Sequence, residues 1–193
     1  MVSATMNISG GHLNPAVTIA LLAGARIRRR RAVAYVISQV IGASLGGLVL
    51  GWIMASGVAP DGLGDVLSFA GRDGALGTPS FSPKVISPFT ATGIEALLTF
   101  VLVFVVYATM VDPRRVRMGG LGVGLTFAAL MMAAEPLTGA AMNPARVLGH
   151  LIGGGQMTLD LWSQQWVYWT GPLAGGLLAA GIYESAILNH RVP

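Results

Sequence analysis

Ser9-Gly10-Gly11-His12-Leu13-Asn14-Pro15-Ala16-Val17 stands near the start of the chain, and Thr138-Gly139-Ala140-Ala141-Met142-Asn143-Pro144-Ala145-Arg146 stands near its end. Each copy sets a hydroxyl residue before a glycine, leaves three residues, and closes on Asn-Pro-Ala; the two asparagines lie 129 positions apart. Proline directly after asparagine suits the first turn of a helix, where its missing N–H has no intrahelical partner and its ring pre-sets φ. Asparagine before it is a good N-cap. Both copies therefore predict the start of a helix.

Those helices sit in a membrane composition. Apolar residues make up 53% of the 193 positions and charged residues 10%, against about 25% charge in an ordinary soluble domain; mean hydropathy is +0.67. The 27 glycines suit helices that pack closely in lipid. There is no cysteine, which excludes disulfides, thiolate ligands and a cysteine nucleophile. His12 and His150 have no acidic or thiol neighbours at ligand spacing, so no metal is expected, and no cofactor or catalytic constellation stands out. An enzyme is not expected.

The net charge of +4 is explained by position rather than by nucleic acid. Of twelve Lys/Arg, five fall at 26–31, three at 114–117 and one at Arg191, flanking apolar segments as cytoplasmic charge does. Arg28 to Arg31 could also serve as a nuclear signal or an anionic-lipid site; the topological reading is simplest. Residues 32–57, 87–111, 118–134 and 161–187 read as four spans. Residues 15–25 and 144–152 are apolar but short. The first, eleven residues long, gives roughly 16 Å of helix at about 1.5 Å per residue, about half the hydrocarbon thickness. Both read as re-entrant half-helices. Residues 58–86, with Pro60, Asp61, Asp65, Asp73 and Pro79, read as an external loop, and Gly153 to Gly155 as a flexible break. Loop charge then alternates so that the first half-helix enters from the cytoplasm, the second from outside, and the C-terminus lies in the cytoplasm. That is an inverted repeat.

Two half-helices of this kind aim N-termini of about half a positive charge each at one another. Asn14 and Asn143 offer amide donors there, and the backbone before each cap offers carbonyls, in a setting that opposes cations and protons. Irregular backbone at this depth is tolerated only where it lines a cavity or is buried in protein. Arg146 is an intramembrane cation where the first copy has Val17; it reads as pore-lining, with snorkelling to headgroups as the other reading. Glu95 reads as an acceptor for half-helix N–H groups, with a proton relay as the alternative. His12 reads as a pore-mouth or packing residue.

These residues resemble the major intrinsic protein family of aquaporins and aquaglyceroporins. The two boxes carry the resemblance, with Glu95 and the run Trp169-Thr170-Gly171-Pro172-Leu173-Ala174-Gly175-Gly176. The resemblance implies an all-α membrane protein: an aquaporin-like inverted-repeat bundle, here of four spanning helices and two half-helices. Residues 1–193 would form one channel domain lacking the family's first helix and most of its second. The site would comprise Asn14, Pro15, Ala16, Asn143, Pro144 and Ala145, with Arg146 as filter arginine, Ala140 offering its carbonyl and Met131 as the fifth-helix filter position. A homotetramer in the plasma membrane is implied. Met131 replaces the histidine of tight water filters, while Val147 replaces the aspartate of glycerol channels. The expected activity is passive passage of water, or of glycerol or another small uncharged solute, without ions. The competing expectations are a non-conducting remnant or assembly partner, and an ion-coupled transporter, which would want more midplane carboxylates than Glu95.

Overall fold

The structure is a computed structural model and describes residues 1–56, 77–115 and 118–189. The charges at Asp61, Asp65, Arg72, Asp73, Arg117 and Arg191, on which part of the expected sidedness rests, lie outside the described residues.

The described residues are helical, with no strand among them. Helix α1 is Val2–Ser9, closed by Gly10 in the left-handed region. Helix α2 is Pro15–Ala23, capped by Asn14, and its turn ends at Gly24 and Ala25. Helix α3, Arg29–Ala55, starts ahead of the expected span and takes the arginine run into its first turn. Helix α4, Pro88–Val106, is capped by the Ser87 hydroxyl and continues through a π-helical turn, Tyr107–Val111. Helix α5, Gly120–Thr138, runs four residues beyond the expected end at 134 and contains Pro136. One proline removes a single helical donor, and Gly139, at φ 78°, stops the helix with its N–H on the Glu135 carbonyl. Helix α6 is Pro144–Gly154, followed by a 3-10 stretch, Gly155–Gln164. Helix α7, Gln165–Ile182, ends in a π-helical turn, Tyr183–Leu188.

Among the described residues, four stretches are long and apolar enough to cross a membrane: Arg29–Ile53, Pro88–Val111, Gly120–Thr138 and Thr158–Leu188. With α2 and α6 at nine and eleven residues, the chain is an all-α, multi-pass membrane protein. Where water cannot satisfy the backbone, helices are the economical solution.

Backbone contact at glycine sets how the helices approach. A methyl on Gly175 of α7 would lie 1.9 Å from the Ala96 carbonyl oxygen of α4. One on Gly47 of α3 would lie 1.8 Å from the Gly149 oxygen of α6, and one on Gly153 would lie 2.1 Å from the Gly47 oxygen. Gly153 is thus a packing residue inside α6. The expected break falls later, at Gly155, which has φ 53°. The larger apolar core gathers Leu102, Val103 and Val106 of α4, Ala179 and Ala180 of α7, and Leu21 of α2. A smaller one joins Val147 and Leu151 to Val167 and Phe81.

At one end of the bundle, Arg26 forms a two-pronged ion pair with Glu184, its Nε 2.6 Å from Oε1. Arg114 pairs with Asp112 at 2.7 Å and donates to the Ile187 carbonyl, and the Tyr183 hydroxyl donates to Asp112 at 3.2 Å. The turns after α2 and α4 are thereby tied to the end of α7. The Arg114 side chain, hydrogen-bonded to the Asp112 carboxylate, holds that carboxyl far below the usual carboxylate range.

Two predictions follow from this packing and this end network. Gly175→Leu must push α4 from α7 and should destabilise the detergent-solubilised protein by at least about 1–3 kcal/mol, the usual cost of overpacking. Gly93→Ala, where a methyl meets nothing within 4 Å, should melt like the parent, and equal melting of both variants would refute the close-contact reading. Because the folded Asp112 carboxyl is depressed, its contribution is complete above the unfolded value of about 3.9 and is lost as pH falls below it. Asp112→Asn should therefore flatten the fall of the melting midpoint between about pH 5 and pH 3; an unchanged slope would contradict it.

Candidate pore site

The two Asn-Pro-Ala boxes meet, and each asparagine works in two directions. The Asn14 Oδ1 accepts from the Ala16 N–H at 2.9 Å, while its Nδ2 donates to the Met142 carbonyl at 2.7 Å. The Asn143 Oδ1 accepts from the N–H groups of Ala145 at 3.1 Å and Arg146 at 3.4 Å, and its Nδ2 donates to the Leu13 carbonyl at 3.0 Å. Each cap is therefore bonded to the loop before the other helix. Pro15 and Pro144 hold the N1 positions, and Ala16 and Ala145 are buried beneath them. An amide nitrogen has two hydrogens. The expected free donors are thus half-committed: one N–H on each asparagine holds the opposite loop, and one is left.

The loop before α6 depends on Glu95, which is fully buried in α4. Its Oε1 accepts from the Thr138 hydroxyl at 2.7 Å and the Ala141 N–H at 2.9 Å; its Oε2 accepts from the Met142 N–H at 2.8 Å. The Tyr168 hydroxyl donates to the Thr138 carbonyl at 2.8 Å. Gly139, Ala140 and Met142 all have positive φ, at 78°, 40° and 51°. Two of these are not glycine, a costly backbone held by its surroundings. The bend presents the Ala140 carbonyl to Arg146, whose Nη1 donates to it at 3.0 Å. The guanidinium also lies over the Phe127 ring, 5.9 Å from its centroid, within cation–π range.

The loop before α2 is held differently. The His12 Nδ1 is 3.1 Å from the Thr18 hydroxyl, which itself donates to the Asn14 carbonyl. Gln39 of α3 donates to that hydroxyl at 2.9 Å and to the His12 carbonyl at 3.0 Å. Since the Thr18 proton is used on Asn14, Nδ1 is the donor to Thr18, and a neutral His12 keeps Nε2 as an acceptor. The imidazole lies 5.0 Å from the Tyr35 ring.

Asn14 and Asn143 border a cavity of about 670 Å³. Its wall is mostly apolar, with Val17, Leu21, Leu102, Val106 and Phe127, while His12 and the loop at Gly10 and Gly11 add polar groups. A second cavity of about 600 Å³ lies beside α3 and is bordered by His12, Gln39, Asn143 and Arg146. The structure thus brings together both asparagines, His12, Ala140 and Arg146. Met131 is half-buried, packs against the larger core and borders neither cavity. The aromatic side chain beneath Arg146 is Phe127, one turn earlier on α5. Sequence reading did not single out Phe127, Gln39 or Thr18, because each lies in an apolar helix with no local signal for its partner.

Residues 1–183 match the family described as Major intrinsic protein. The chain belongs to that family. It is 41% identical over 193 residues to "Aquaporin TIP4-4" of Zea mays, covering 97% of this chain and 67% of that protein. It is 40% identical over 190 residues to "Probable aquaporin TIP3-2" of Arabidopsis thaliana, covering 97% and 62%. Among solved structures it is similar to the aquaglyceroporin from Plasmodium falciparum, with a TM-score of 0.74 and 25% identity over 95% of this chain and 76% of that one. This major intrinsic protein chain thus spans about two thirds of the length of the curated relatives it matches.

The Glu95 brace yields a direct test. In Glu95→Gln the amide can accept from at most one side, and an N–H group of the Ala141–Met142 turn loses its acceptor. The unsatisfied donor should cost about 1–3 kcal/mol, read as a lowered thermal midpoint in detergent. A midpoint equal to that of the parent would show that the brace carries no stability.

Proposed function

We propose that this chain forms the pore of a passive transmembrane channel for water, with glycerol or another small uncharged solute as the alternative cargo, and that ions and protons are excluded. The observation that carries the reading is the reciprocal bond between the two caps. It sets two helix N-termini face to face on the wall of a largely apolar cavity and leaves one N–H of each asparagine for a solute. The paired ends raise the potential there, which disfavours a cation or a proton relay while leaving a neutral hydrogen-bonding molecule unopposed.

In this reading Asn14 and Asn143 donate to the solute at the centre, where Pro15, Ala16, Pro144 and Ala145 fix the two helix starts. His12 stands at one mouth. The Ala140 carbonyl and Arg146 form the opposite constriction, with Met131 one turn beyond Phe127 on the same side of α5. Glu95 supports the loop and moves no proton, since its two oxygens already take three donors. The half-helices are re-entrant within a single channel domain over 1–193, and the C-terminus is cytoplasmic. The assembly is a homotetramer in the plasma membrane. The relatives' names, with aquaporins on one side and an aquaglyceroporin on the other, support the cargo class.

A second reading, in which the chain alone does not conduct and instead assembles with a conducting partner, draws support from the second cavity beside α3.

The test is stopped-flow shrinkage of proteoliposomes in an impermeant osmolyte and in glycerol. A several-fold rise in water permeability with low activation energy is expected. With no cysteine in the chain, mercurials should leave it unchanged. Shrinkage at the rate of empty vesicles would reject conduction by this chain and favour the second reading.

A further inference from the structure

The arginines at the end of the bundle where α7 finishes fall into two groups. Arg26 is paired with Glu184 and Arg114 with Asp112, and Arg115 donates to the Asp112 carbonyl. Those two are the carboxylates of this end among the described residues. Arg28, Arg29, Arg30 and Arg31 follow Arg26 within five residues. All four are exposed, and among the described residues none of them has an ion pair or a side-chain hydrogen bond. They open α3, whose first turn holds no acidic residue and whose start has no side-chain cap. Cations at that end of a helix oppose its dipole, so the run costs stability rather than adding it. A topological flank explains the sign of the run but not where its side chains stand.

Their placement around the helix is specific. At 3.6 residues per turn, about 100° each, Arg30 is turned roughly 160° from Ala32, which is buried. Arg30 therefore points away from the bundle. Steps of seven, four, seven and four residues from it reach Ile37, Ile41, Leu48 and Trp52, which share one helix face. All four are exposed, and Leu45 is exposed beside them. This strip is neither the side on which Gly47 and Gly51 meet α6 nor the side on which Gln39 and Gly42 border the second cavity. Trp52 lies 22 residues beyond Arg30, roughly 33 Å at about 1.5 Å per residue, against a hydrocarbon thickness of about 30 Å. The strip thus runs from a guanidinium at headgroup depth to a tryptophan at the opposite interface, where tryptophan is favoured.

We propose that Arg30, with Arg29 and Arg31 on either flank, is the headgroup seat of an anionic phospholipid whose acyl chains lie along Ile37, Ile41 and Leu45. A guanidinium offers a phosphate two parallel N–H donors. The carboxylates that could neutralise the run from within the protein are already held by Arg26 and Arg114. A zwitterionic lipid carries its own cation into a field of arginines, whereas a lipid of net negative charge does not. The apolar strip directly below Arg30 makes the occupant a lipid rather than a free phosphate, because it takes up the chains that follow the headgroup.

The full chain in zwitterionic detergent is titrated with phosphatidylglycerol and with phosphatidylcholine of the same chain length, and bound lipid is counted by native mass spectrometry. Saturable binding of phosphatidylglycerol, at least about tenfold tighter than that of phosphatidylcholine, is expected. Arg30→Gln should remove most of that preference. Arg115→Gln, which deletes the same charge from the same end but off the strip, should leave it. Arg30 is exposed and unpartnered, so its variant should melt at the parent's midpoint in the absence of lipid. Raising salt to about 0.5 M should shrink the parent's preference with no residue changed. Equal affinity for the two lipids would overturn the proposal. Equal losses in Arg30→Gln and Arg115→Gln would do the same, since they would show a diffuse positive field and no seat. Displacement of bound phosphatidylglycerol by an equal concentration of glycerol phosphate would replace the lipid with a free anion as occupant. None of these readouts depends on conduction or on which end of the bundle faces the cytoplasm, so a non-conducting chain that selects phosphatidylglycerol through Arg30 leaves the proposal standing.

Discussion

A backbone that leaves helical geometry at membrane depth must find partners for every N–H and C=O it exposes, because lipid supplies none. Between its apolar helices this chain leaves helical geometry twice, at residues 10–14 and 139–143, and the bundle around them supplies many of the partners those two stretches need. The two loops partly satisfy each other through the exchanged asparagine amides. A hydrogen bond that spans the two halves of the chain fixes their relative position more firmly than apolar contact, which tolerates sliding. The glycine contacts between α3 and α6 and between α4 and α7 then set how close the supporting helices stand.

What the loops do not give each other comes from the helices, and the two halves solve this differently. On one side a carboxylate takes two N–H groups and a hydroxyl. A buried charge is costly, but three short donors offset much of that cost. On the other side the amide of Gln39 and the hydroxyl of Thr18 hold the histidine and the carbonyl beside it. These are neutral bonds, equal in number but weaker than those to a carboxylate. The loop braced by the carboxylate is also the one that holds two non-glycine residues, Ala140 and Met142, at positive φ.

The fold was largely legible because its strongest signals are local. The Asn-Pro-Ala boxes announce their own helix starts, and the Asn14 and Asn143 side chains cap as local chemistry requires. Helix ends were less legible. Pro136 and the glycines at 153–154 are breakers by local rule, yet α5 and α6 run through them, since a neighbouring helix can use a bare Cα and one missing donor is tolerable. In the site, Arg146, Glu95 and the asparagines stood out because a polar group in apolar sequence needs a reason. Phe127 did not. An aromatic in a membrane helix is ordinary until a guanidinium is found on its face, and that depends on a loop geometry no spacing encodes. Gln39, likewise, is one amide in a long apolar helix, and its role follows from where His12 and Thr18 fall in space.

The asymmetry at the end of the two motifs follows from the same loops. Gly10 and Gly11 have positive φ, and so do their counterparts Gly139 and Ala140, so both backbones turn alike. Only the second copy has a cation two residues after the proline to use the carbonyl that turn presents. Arg146 takes the Ala140 oxygen, whereas its counterpart Val17 is buried in the larger core. A methyl at Ala140 costs backbone energy that glycine at position 11 avoids. That cost is tolerable because Glu95, Thr138 and Arg146 hold the loop from three directions. One bend repeated in the chain therefore serves two ends: where it meets a valine it packs, and where it meets an arginine it places a fixed positive charge beside the cavity.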